Sequence, residues 1–207
     1  MTINVLEKAK PKVFTLEEYL KKEEKSLTKN EFLNGKIIPM PNASINHNRI
    51  TGNIHVQLSL IAYQKDNFEV FNPEQKVYIT SIDSICYPDA SVALKPIEKF
   101  DKLSITNPSI IFEVASPSTV RYDRGKKFKI YQHIPTFQEY VLIDQDTPSV
   151  EVYIKTELGW IIEIYLDLDD VIKLQTIDAE IKMKDIYHNV EDLVFPQGQI
   201  EFEEKED

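Results

Sequence analysis

Residues 109–144 read SIIFEVASPSTVRYDRGKKFKIYQHIPTFQEYVLID. The near-continuous apolar run at the start predicts a strand over 109–116. Pro117 ends that strand, and Ser118 or Thr119 is placed to cap a helix expected over about 120–134. EYVLID predicts another strand over 139–144. Helices and strands are interspersed in this way along the whole chain. That order predicts an α/β fold, a mixed central sheet flanked by helices.

Glu113 lies inside the first of these strands and, by two-residue alternation, shares a face with Ile111 and Ala115. If the strand is covered on both faces, a carboxylate there is costly unless it is paired or bound to a metal. The other reading is a half-exposed strand with Glu113 turned to water. On the helix, Lys127 shares a stripe with Ile130, Tyr131 and Ile134, so its stem runs along the apolar seam. A surface reading pairs it instead with Asp123, four residues earlier.

Upstream, Pro88 marks a strand start or edge, and Asp89 leads into a strand over 89–94. Asp89 is either a turn residue or a carboxylate placed where the sheet opens. Strands over 68–71 and 76–80 precede it. Ile50, Ile54, Leu58 and Ile61 recur at helical spacing and predict a long amphipathic helix over 44–64. Asn34-Gly35 predicts a type I′ hairpin turn, and Thr15 with Glu18 forms a capping box that opens a short helix. Downstream, strands over 149–155 and 160–166 form a hairpin around Leu158-Gly159, followed by short pieces from Val171 to Leu193. A single domain is expected over 13–196, after a flexible segment 1–12 and before an acidic tail 197–207.

Composition sets limits on function. The 207 residues carry a formal net charge of -10 and are 42% hydrophobic, enough for a real core. The five glycines are too scattered to build a phosphate loop, and the single cysteine, Cys86, excludes a disulfide framework and paired-cysteine zinc sites. No apolar run approaches the ~20 residues that cross a bilayer, and the first residues lack the apolar core of a signal peptide. A cytoplasmic protein with no membrane partner is expected. The acidic balance opposes loose attraction to nucleic acid. Arg121, Arg124, Lys126, Lys127 and Lys129 nevertheless crowd into nine residues and form a local basic patch for weak, salt-sensitive DNA binding.

Two carboxylates can hold a hard divalent cation through oxygen. Such a cation lowers the pKa of bound water and neutralises phosphoryl charge, and a nearby lysine stabilises the transition state. Asp, Glu and Lys are thus the minimum parts for metal-assisted phosphodiester hydrolysis. Ser116 has no nucleophile-elbow context, so serine hydrolysis has no support.

Pro88-Asp89, Glu113-Val114 and a downstream lysine resemble the PD-(D/E)XK nuclease superfamily. Longer stretches resemble the Uma-two family of bacterial endonucleases: residues 14–19, residues 31–38, Asn46-His47-Asn48, residues 88–92, and above all 111–144. The resemblance covers roughly residues 13–190. It implies a restriction-endonuclease-like fold, with Asp89 and Glu113 as ligands of Mg²⁺ or Mn²⁺. The superfamily's lysine normally follows the Glu by two residues, where Ala115 stands here; Lys127 matches the lysine moved onto the next helix. Glu31 is implied as a further metal-side or water-orienting carboxylate, or else a hairpin surface charge. His47 is implied to contact phosphate or to hold a carboxylate in place, or else to sit beside a helix cap. The function implied is a Mg-dependent DNA endonuclease using a metal-activated water. A homodimer suits cutting of two strands. The alternative is a catalytically silent nuclease-fold binding or interaction module.

Overall fold

A computed structural model describes residues 12–195. The expected segment 1–12, apart from Lys12, and the acidic tail 197–207 lie outside the described residues.

Helix α1 (Leu16–Glu23) opens on a complete capping box: the Glu18 N–H donates to Thr15 Oγ1, and the Thr15 N–H donates to the Glu18 carboxylate. A hairpin follows, β1 (Asn30–Leu33) and β2 (Lys36–Pro39). Asn34 (φ 49) and Gly35 (φ 76) are both left-handed, as a type I′ turn requires. A Cβ on Gly35 would lie 2.5 Å from Val13 Cγ1. Gly35→Ala is therefore expected to cost about 1–2 kcal/mol, read as a lower urea midpoint.

Helix α2 (Ile45–Lys65) is capped by Ser44, whose Oγ accepts the His47 N–H at 3.0 Å. Its inner stripe of Ile50, Ile54 and Leu58 is fully buried. Then come β3 (Phe68–Phe71), β4 (Lys76–Ile79), β5 (Ser84–Cys86), β6 (Ala90–Leu94), β7 (Ser104–Ile105) and β8 (Ile110–Ala115). The predicted second helix is one helical run in three pieces: α3 (Val120–Tyr122), a π-helical turn over Asp123–Lys127, and α4 (Phe128–Tyr131). Thr119 precedes it, but its Oγ1 accepts the Ser116 N–H instead of capping the helix. The chain continues with β9 (Glu139–Asp144), β10 (Val150–Thr156), β11 (Gly159–Tyr165), β12 (Val171–Leu174), β13 (Ala179–Lys182) and α5 (Met183–Ile186).

The architecture is mixed α/β with more than one sheet. Six strands run in the order β11-β10-β9-β8-β6-β3. β8 and β9 are parallel and the other neighbours antiparallel, so the sheet is mixed. Five strands form a second sheet in the order β2-β1-β5-β4-β7, and β12 pairs with β13. Alternation in β8 separates two cores. Ile110, Phe112 and Val114 face the stripe of α2. Ile111 and Ala115 face Tyr131, Ile134, Phe137 and the inner residues Leu33, Val77 and Cys86 of the five-stranded sheet. Glu113 belongs to this second face, in the seam between two sheets and a helix.

Candidate active site

Strand β6 pairs with β8, with Ala90 opposite Phe112 and Ser91 opposite Ile111. One residue before this ladder, Asp89 reaches across and its Oδ2 accepts the Val114 N–H at 2.8 Å. That contact ties the Pro88 strand start to the C-terminal end of β8. Asp89 is therefore more than a turn residue: it is buried, 8% exposed, and set beside the Glu113 position. His47, in the first turn of α2, places Nε2 3.2 Å from the same Asp89 oxygen and Nδ1 3.5 Å from Thr51 Oγ1. Of the readings the sequence allowed His47, the geometry sets its ring against a carboxylate and its backbone N–H on the Ser44 cap.

Glu113 is 3% exposed, which removes the half-exposed reading. Its Oε1 accepts the Tyr131 hydroxyl at 2.6 Å and meets Lys127 Nζ at 2.9 Å. Lys127 also lies 3.5 Å from Glu31 Oε1 and is itself buried, 7% exposed. Its partners are thus two glutamates across the seam, not Asp123. Glu31 projects from β1 and accepts the Tyr87 N–H at 3.3 Å. Strand β5 makes this contact possible, because Phe32 pairs with Ile85 and brings the chain to Tyr87 beside β1.

The π-helical turn explains how Lys127 enters. The Phe128 N–H reaches back to the Asp123 carbonyl, one residue further than an α-helix allows, widening the turn that carries Asp123 and Lys127. Both residues are buried there. Asp123 is the site residue that sequence reading missed; it had entered only as the surface partner of Lys127. The four-residue spacing that suggested an ion pair also puts both on one face, and that face points inward.

The cluster holds four buried carboxylates, Glu31, Asp89, Glu113 and Asp123, around one ammonium. Burial raises the pKa of Glu113 well above the ordinary carboxylate value; Lys127 opposes the shift and the charges of Asp89 and Asp123 add to it. Asp123 is raised for the same primary reason, with Lys127 again opposing. Burial alone would lower Lys127, but the surrounding carboxylates win and hold it charged. One lysine shared among four carboxylates cannot neutralise them all, so the cluster retains protons or recruits a cation.

This has a measurable sign. Below about pH 4 the Glu113 side chain is protonated both folded and unfolded. As pH rises the unfolded chain loses its proton first, so stability falls until the raised folded pKa is reached. Glu113→Gln stays neutral throughout. Its stability relative to the wild type is expected to increase as pH climbs above about 4, measured by urea unfolding across a pH series in EDTA.

The donor set suits a hard cation. Among the described residues Asp89 Oδ1 and Glu113 Oε2 make no hydrogen bond, while the other oxygen of each is fixed. No group of three or more His, Cys, Asp or Glu side chains among the described residues is arranged to hold a metal ion by itself. Two carboxylates completed by water and substrate oxygens are what Mg²⁺ accepts. The helix cations divide differently from the sequence expectation. Lys127 is buried in the cluster, and Arg124 makes a paired contact with Glu151 at 3.1 and 2.5 Å. Arg121, Lys126 and Lys129 remain exposed. No helix among the described residues is long and apolar enough to cross a membrane.

A mixed α/β fold with an Asp, a Glu and a Lys gathered at the opening of adjacent strands defines a restriction-endonuclease-like class of protein. Comparison with known proteins is consistent with that class. Residues 16–184 match the Uma2 family, described as "Putative restriction endonuclease", and the chain belongs to this family. The uncharacterized protein sll1609 of Synechocystis sp. is 40% identical over 149 residues, 71% of this chain and 84% of the relative. A second uncharacterized Synechocystis protein, slr1290, is 34% identical over 178 residues, 84% of this chain and 91% of the relative. In fold, the chain is similar to a crystal structure from Anabaena variabilis described as "a putative nuclease belonging to DUF820". The TM-score is 0.68 and the identity 22%, over 84% of this chain and 97% of that one.

Proposed function

We propose that this protein is a DNA endonuclease that hydrolyses phosphodiesters with Mg²⁺ or Mn²⁺ at the cluster of Asp89, Glu113 and Lys127. One observation carries the reading: these three side chains converge in one buried seam that holds more negative charge than its lysine balances. Asp89 and Glu113 would hold the cation. When bound, it supplies Lewis-acid activation and neutralises phosphoryl charge. Lys127, kept protonated by the carboxylates around it, stabilises the charge of the pentavalent state. His47 orients Asp89, Tyr131 orients Glu113, and Glu31 steadies Lys127 from the opposite sheet. Arg121, Lys126 and Lys129 give DNA a foothold on the adjoining helix. A second copy of the chain supplies the second cut in a duplex.

A second reading has an observation in its favour. The formal net charge is -10, and two cations of the expected DNA patch are committed to carboxylates. That pattern suits a catalytically silent module that keeps the cation site. Incubation with supercoiled plasmid and labelled oligonucleotides in Mg²⁺ or Mn²⁺, with an EDTA control, separates the two. Cation-dependent nicking supports the enzyme. Cation binding with no cleavage of any DNA favours the module, and cleavage that persists in EDTA contradicts both.

A further inference from the structure

Beside the carboxylate cluster lies a cleft of about 480 Å³ whose lining includes Lys29, His55, Gln75, Lys76, Tyr87 and Lys102. Three lysines line it against one acid, Glu74, in a chain whose overall charge is -10. Lys29 is engaged, with Nζ 2.8 Å from Glu74 Oε1 and 3.0 Å from the Pro73 carbonyl. Lys76 and Lys102 form no ion pair among the described residues. His55 adds a ring whose Nδ1 is buried without a hydrogen-bond partner among the described residues. Like-signed side chains gathered in a concave surface focus potential and attract the opposite charge. Neither the three lysines nor His55 belongs to the carboxylate cluster.

Two structural links join the cleft to that cluster. Tyr87 is common to both: its backbone N–H donates to Glu31, and its ring lies 5.8 Å below the Lys29 ammonium. Helix α2 is the second link. His47, Thr51 and His55 follow one another at four-residue intervals on one stripe. His47 contacts Asp89 and His55 lines the cleft. Eight residues of α-helix span about 12 Å. Phosphates of one strand advance about 3.4 Å each along a duplex axis and are farther apart along the strand itself, so about 12 Å is a separation of a few nucleotides.

The geometry points to this cleft as a binding site for the backbone phosphates of a nucleic-acid strand, a few nucleotides from the phosphate that reaches Asp89 and Glu113. The placement relative to a cut rests on the nuclease reading; the binding itself does not. The lysines hold the strand without reading its bases, as phosphate contacts do.

The test is fluorescence anisotropy with a labelled oligonucleotide, single-stranded and duplex, in EDTA over a salt series. The wild type is compared with the double variant Lys76→Glu, Lys102→Glu. The variant is expected to bind at least about tenfold more weakly, and its log–log salt slope to shrink by about 1.5, the share of two phosphate contacts. Lys76→Gln with Lys102→Gln serves if charge reversal impairs folding, with the same direction of change. Lys155→Glu with Lys184→Glu, a charge-matched control at two exposed lysines outside the cleft, is expected to keep wild-type binding and slope. Equal affinity and slope in wild type and cleft variants overturn the inference. So does competition by inorganic phosphate with an affinity equal to the oligonucleotide's, which makes the cleft a small-anion site only. Cleft-dependent binding without cleavage by the wild type removes the nuclease reading and leaves the cleft standing. Intact cleavage and binding in the cleft variants does the reverse.

Discussion

Replacing Lys127 by methionine is expected to destabilise the protein by about 3–5 kcal/mol near neutral pH, the usual loss when one partner of a buried ion pair is removed. Methionine fills similar space, so the loss is one of charge. Without the ammonium, Glu113 and Glu31 keep their burial and lose the cation at 2.9 and 3.5 Å. Asp89 and Asp123 add further repulsion from within the same seam. Domains of this kind have about 5–15 kcal/mol in total, so the change is large. It is also expected to shrink as the pH is lowered toward 5, because the carboxyls can then take up protons. Trp160, the one tryptophan, packs against Phe128 with ring centroids 5.0 Å apart, one residue beyond Lys127, and reports unfolding by fluorescence. Unchanged stability in Lys127→Met from pH 5 to 8 would show that the lysine does not balance this cluster.

The second large effect concerns activity. Asp89→Asn is expected to lower DNA cleavage by about 10³-fold, a loss of the size seen when a preorganised charge-stabilising group is removed. Asparagine preserves the shape, and its side-chain oxygen can still accept the Val114 N–H that Asp89 holds at 2.8 Å. Alanine would strand that buried N–H and add about 1–3 kcal/mol of instability, blurring the result. A time course of plasmid nicking in Mg²⁺, with thermal unfolding as a fold control, measures the effect. Cleavage at the wild-type rate by Asp89→Asn removes Asp89 from the chemistry.

Several features of this arrangement were legible in sequence because their causes are local. The Thr15–Glu18 box and the Asn34-Gly35 turn need only a few adjacent residues, and both form as expected. Helix α2 follows from one apolar stripe. The inward stem of Lys127 followed from helical spacing and family resemblance together. Non-local features were not legible. Strand β5 has three residues, too few to show a period, yet it brings Tyr87 to Glu31. The division into two sheets depends on pairing between distant segments. The π-helical turn has no sequence signature, and it decides which of the five helix cations is buried. Asp123 read as surface because its spacing to Lys127 fits a solvated pair equally well.

What remains to be tested most directly is whether the surplus negative charge of the seam receives a cation. Calorimetric titration of the wild type with Mn²⁺, in two buffers of different ionisation heat, measures both the ion and the proton it displaces. One binding event per chain is expected, with a heat that depends on the buffer because the raised pKa of Glu113 makes binding release protons. Asp89→Asn is expected to lose that event. Identical isotherms for the two proteins, or no binding to the wild type, would contradict the assignment of Asp89 and Glu113 as the cation's ligands.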